Sequence, residues 1–142
     1  MAVSYPVKVI TLWSVFLLGL LFHTDLGLMP LFHGLSVAEG QADPNANIAG
    51  ILWLMLAFFV LPMLAIVLTL FFGSQRYRKL HFGLTIIYTV LNVAHLGADL
   101  LVSPIAWYQI TLMAILLLIG LLLNWVSWQW LRESKAHRLP VH

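Results

Sequence analysis

Apolar residues run almost unbroken through four stretches of this chain, at about 7–28, 49–72, 82–102 and 105–131. Each is close to or beyond the ~20 residues a helix needs to cross ~30 Å of hydrocarbon. Strands of a membrane barrel would instead show ~10-residue segments of alternating polarity, and these runs do not alternate. The pattern predicts an all-α, integral membrane four-helix bundle, with residues 1–142 forming one transmembrane domain. There is no internal repeat and no low-complexity tract.

The polar interruptions place the connections. "GSQRYRK" (73–79) joins a glycine stop to a basic run and predicts an inner loop over 73–81. "VSPI" (102–105) predicts a tight hairpin with Ser103 as N-cap and Pro104 at the first position of the fourth helix. The outer loop spans 29–48, with turn residues in "AEGQADPNAN" (38–47) and a cap at Asp43 or Asn47. Its first part, "LGLMPLFHGLSV" (26–37), is too apolar for a free loop and carries Pro30. It reads as a short interfacial or re-entrant segment after the first helix, with the chain breaking near residues 29–30. Pro62 reads as a kink in the second helix, and Asn124 and Ser127 as helix contacts.

Composition confirms the environment. Of the residues 62% are hydrophobic and 8% charged, against about a quarter charged in an ordinary soluble domain, and the mean hydropathy is +0.98. The lipid bilayer is therefore the surrounding partner, and further membrane subunits or a homo-oligomer are compatible with it. The pI near 9.2 rests on too few basic residues for a nucleic-acid footprint. The absence of cysteine excludes disulfides, thiolate metal sites, iron–sulfur clusters and thiol nucleophiles.

Charge placement sets the orientation. Lys8, Arg76, Arg78, Lys79, Arg132, Lys135 and Arg138 all fall on one side of the four spans, whereas Asp25, Glu39, Asp43 and Asp99 lie on or near the other. The positive-inside rule makes both termini cytoplasmic (N-in/C-in), in a bacterial-type inner or a thylakoid membrane. Trp125, Trp128 and Trp130 would form an inner aromatic belt, and Trp53, Trp107 and Tyr108 an outer one. "GQA" at 40–42 lies too far beyond the apolar core to serve a signal peptide.

Candidate chemistry gathers at the outer end. "LLFHTDLGLMPLFHG" (20–34) sets His23, Asp25 and His33 among apolar residues with no Lys or Arg nearby. On the third helix Tyr88, Asn92, His95 and Asp99 share an arc of ~60° at 100° per residue, a polar stripe that should face the bundle interior. Imidazole nitrogen with carboxylate oxygen is a donor set for Zn, Cu or Fe. The expected site is a transition-metal ion held by His23, His95 and Asp99, with Asp25 and His33 as further candidate ligands. Asn92, Tyr88 and Gln109 would support these ligands. In this picture the 26–37 segment folds back as an apolar lid, and the break at Pro30 lets His33 turn inward.

Two other readings stay open. The stripe can serve helix packing in a small accessory or assembly subunit of a larger membrane complex. Alternatively, His23 and His95 can hold b-type haem, or one of them chlorophyll. His81, His137 and His142 lie among basic residues and read as surface. The inner halves of the first three helices read as nearly wholly apolar, leaving no continuous transport path. No catalytic triad, phosphate-binding glycine loop or dinucleotide fingerprint is present.

Overall fold

A computed structural model describes residues 3–37 and 47–136. It contains four helices, α1 (Tyr5–Phe32), α2 (Ile48–Phe71), α3 (Gln75–Asp99) and α4 (Trp107–Ala136). All four are long and apolar enough to cross a membrane.

The core comes from two seams of heptad-like spacing. On α1, Val9, Trp13, Phe16 and Leu20 are buried; on α4, Met113, Leu116, Leu123, Val126 and Trp130 are. Such alternating steps of three and four keep one stripe facing the neighbouring helices of a bundle. Gly19 lets α1 and α4 approach, because a Cβ at that position would run into the Leu116 side chain. α1 packs against α2 and α4, and α3 against α4. The fourth side of the square, between α2 and α3, is wide and is bridged by two tyrosines. Tyr77 donates to the Ala65 carbonyl at 2.8 Å, and Tyr88 donates to the Phe58 carbonyl. Asn124 joins α4 to α3 through Thr89 Oγ1 at 2.9 Å, as a helix contact should. α2 buries only Pro62, Ala65 and Thr69, so most of its apolar surface faces outward, as a lipid-facing helix requires.

Several boundaries differ from those expected. α1 does not break at Met29–Pro30 but continues to Phe32. The chain stops instead at Gly34 (φ 74°), where Leu35 N–H bonds the Pro30 carbonyl and Gly34 N–H the Leu31 carbonyl. That pairing is a Schellman motif. Pro30 removes only one helical hydrogen bond close to the helix end, whereas the left-handed turn needs glycine. Residues 26–32 are therefore helical and form no lid; residues 38–46, including the Asp43 cap, lie outside the described residues.

The expected inner loop is mostly helix. Ser74 caps α3, its hydroxyl accepting from Tyr77 N–H at 3.3 Å, so residues 75–81 form the first two turns. A run of Arg and Lys breaks no helix. Asn47 caps α2 by accepting from Gly50 N–H at 2.9 Å. The expected Ser103 cap and Pro104 start are not found: α4 begins at Trp107, and the Ser103–Pro104 peptide bond is cis. Trp130 is 1% exposed and belongs to the core rather than to an inner belt. Trp125, Trp128, Trp53, Trp107 and Tyr108 are exposed.

Starting α3 earlier changes its inner half. Tyr77, His81 and Thr85 extend the Tyr88–Asp99 stripe inward by steps of three and four. His81, read as surface, is 2% exposed and accepts a hydrogen bond from Trp13 Nε1 at 2.9 Å. It sits edge-on to Trp13 and Trp130. The half of the bundle expected to be inner is thus not wholly apolar. At its rim Arg78 donates to the Trp130 carbonyl at 2.7 Å and to the Gly73 carbonyl at 2.9 Å.

Candidate metal centre

The core-facing seam of α1, carried outward from Leu20, arrives next at His23. The polar stripe of α3, carried outward from Asn92, arrives at His95 and Asp99. α1 and α3 face each other across the bundle diagonal, as the Trp13–His81 bond shows, so the two seams meet again at the end of the bundle where both helices terminate.

There His23 Nε2 lies 3.3 Å from His95 Nε2 and 3.6 Å from Asp99 Oδ2, and His95 Nε2 lies 3.7 Å from Asp99 Oδ1. One donor atom from each residue falls within 4.8 Å of the other two. The side chains of His23 and Asp99 are 12% and 19% exposed, that of His95 53%. Among the described residues nothing hydrogen-bonds Asp99 Oδ2 or His23 Nδ1, although both are buried. A carboxylate oxygen withdrawn from water without a donor is unfavourable by several kcal/mol unless a cation or proton compensates.

The other expected ligands do not join this group. Asp25 lies two residues beyond His23 on a continuous helix, which turns it by about 200° to another face, and it is exposed. His33 ends α1 as an exposed cap residue, about 15 Å along the axis from His23. Both placements follow from α1 continuing past Pro30. His23 meets His95 and Asp99 although α1 continues past Pro30 and no fold-back of 26–32 covers them.

The expected supporting residues divide. Tyr88 is taken by the Phe58 carbonyl, two turns inward of His95. Gln109 shares a small cleft of about 110 Å³ with Asp99, and its Nε2 comes close to Gly27 of α1. Asn92 is 4% exposed, and among the described residues neither its amide nitrogen nor its oxygen has a hydrogen-bond partner. It does not hold either imidazole. It borders a cavity of about 360 Å³ to which all four helices contribute, walled by Phe16, Leu20, Phe58, Phe59 and Met113 and reached by His23 and His95.

Sequence reasoning missed Trp13 and His81 as a polar pair. The signal was present: stepping back from Tyr88 by three and four residues reaches Thr85, His81 and Tyr77. No protein-family model, curated protein or solved structure matches the chain.

Proposed function

We propose that this protein binds a transition-metal ion in the membrane, through His23, His95 and Asp99, at the non-cytoplasmic end of an N-in/C-in bundle. The observation that carries the reading is the convergence of the donors: one ligand atom from each side chain lies within 4.8 Å of the other two, and the two imidazole Nε2 atoms are 3.3 Å apart. Bonds of ~2.0–2.2 Å in tetrahedral geometry put ligand atoms ~3.3–3.6 Å apart. Octahedral or square-planar geometry with the same bonds requires ~3 Å between neighbours. The 3.3 Å between the two imidazole nitrogens falls in the tetrahedral range, which with this donor set suits Zn²⁺ best, a copper site of low coordination number coming next. Three protein ligands leave a fourth position for water or a small molecule. The ion would also neutralise the Asp99 oxygen that has no donor.

The spacing favours an ion over a porphyrin. Two axial imidazoles stand on opposite faces of a haem, but here a macrocycle would have to pass between nitrogens 3.3 Å apart and displace Asp99. Helix packing in an accessory subunit is the competing role for the same three side chains.

Elemental analysis and an absorption spectrum of the protein purified in detergent after growth with Zn²⁺ test the reading. About one metal ion per chain and no porphyrin or chlorophyll bands are expected. His95→Ala should weaken binding by ~100-fold or more while the bundle stays assembled, because His95 is half exposed and outside the core. Metal-free wild-type protein, with His95→Ala merely lowering the melting temperature, would establish the packing role instead.

A further inference from the structure

The cavity inward of the cluster has features that metal binding does not use. Its walls are mainly aromatic, aliphatic and thioether side chains, with Thr24, Asn92 and the two imidazoles as the polar members and no Lys, Arg, Asp or Glu among them. Its volume, about 360 Å³, lies within the range of small-molecule sites, ~300–1,000 Å³, which are typically apolar with a few placed polar groups. Asn92 supplies such a group, being buried with both ends of its amide unpaired among the described residues. A buried amide without partners is destabilising, and the other polar groups of the wall, Thr24 and the two imidazoles, do not hydrogen-bond it. The helices on either side of the cavity, α2 and α3, do not pack closely, and Leu54, Met55 and Leu91, which line it, are also exposed on the bundle surface. Access therefore runs sideways from the hydrocarbon.

We propose that this cavity binds an uncharged, membrane-soluble ring compound bearing carbonyl or hydroxyl groups, of the quinone–quinol class, with Asn92 as its polar anchor. An acyl chain would fill the walls and leave the amide unpaired. A phosphate-bearing lipid headgroup would need a cation, and none lines the cavity. A carbonyl accepts from the Asn92 amide N–H, a hydroxyl donates to its oxygen, and Phe16, Phe58 and Phe59 offer ring faces or edges for a flat ring. Water would meet the amide but wet a wall that is otherwise apolar. His23 and His95 reach one edge of the cavity, but neither Asn92 nor the apolar wall belongs to the metal-ligand set, so occupancy of the cavity does not require the metal.

The test is equilibrium binding of a short-tailed benzoquinone to the full chain in lipid nanodiscs, with EDTA and with Zn²⁺, against an alkylbenzene of equal length lacking oxygens. Saturable one-to-one binding of the quinone is expected under both conditions, at least about tenfold tighter than the alkylbenzene. Asn92→Leu should remove most of that preference, about tenfold for the hydrogen bonds lost. Met55→Trp, on the exposed rim of the cavity, should block entry while helix content and thermal stability stay unchanged. Asp99→Asn should abolish metal binding and leave quinone binding intact, so the two sites fail separately. Equal binding of quinone and alkylbenzene, or quinone binding unaffected by both Asn92→Leu and Met55→Trp, would overturn the proposal.

Discussion

Breaking the Trp13–His81 pair tests whether the inner polar contact holds the bundle or merely occupies it. Both residues are buried, at 0% and 2% exposure, with a 2.9 Å bond between the indole N–H and imidazole Nε2. The indole is a donor only, so Nε2 is an acceptor and the imidazole is neutral with its proton on Nδ1. Trp13→Phe leaves that acceptor orphaned and shrinks a side chain packed against Phe16 and Tyr88. An orphaned buried group is destabilising by ~1–3 kcal/mol, and the lost volume adds on the order of 1–2 kcal/mol, so a loss of roughly 2–5 kcal/mol is expected. His81→Leu orphans the indole N–H instead, for roughly 1–3 kcal/mol, and also removes Nδ1, which has no partner among the described residues.

The double variant contains neither orphan and should be more stable than the sum of the single losses. Interhelical hydrogen bonds in membranes couple by ~0.6 kcal/mol on average and ~1.7 kcal/mol at most, and full burial places this pair toward the upper figure. Reversible unfolding of the four proteins in mixed micelles, followed by circular dichroism at 222 nm, measures the cycle. Additivity within ~0.3–0.5 kcal/mol would refute the reasoning and make His81 a space-filling residue.

Gly19→Leu should separate α1 from α4, because even a Cβ at that position meets Leu116, which is 1% exposed and has no room to turn. A loss of ~1–3 kcal/mol or more is expected, partly restored by Leu116→Ala; an unchanged unfolding midpoint would show that the helices are not tightly apposed there. Orientation can be read with single cysteines, since the chain has none of its own. In intact cells a membrane-impermeant maleimide should label Leu35→Cys and leave Gly73→Cys unlabelled until the membrane is permeabilised; the reverse pattern would move the proposed metal centre to the cytoplasmic face.

Four spans and their number, the all-α class and the Asn47 cap were legible in the chain, because hydrocarbon imposes length and backbone satisfaction on each segment locally. The polar stripe at Tyr88, Asn92, His95 and Asp99 was legible for a similar reason: a helix's own periodicity decides which of its residues share a face. Segment ends were less so. Pro30 and the basic run at 76–79 look like punctuation, yet the Schellman turn at Gly34 and the Ser74 cap set the actual limits. Those two shifts removed the lid, turned Asp25 away, left His33 at the helix end and carried His81 inside. Only the tertiary structure decided which residues meet. Periodicity orients each helix about its own axis but says nothing of the partner opposite, so pairing Trp13 with His81, gathering His23, His95 and Asp99, and leaving Asn92 facing a cavity required the diagonal approach of α1 and α3. That approach depends on the close seat of α1 on α4 at Gly19 and on the wide, tyrosine-bridged gap between α2 and α3, both of them properties of four helices packed together.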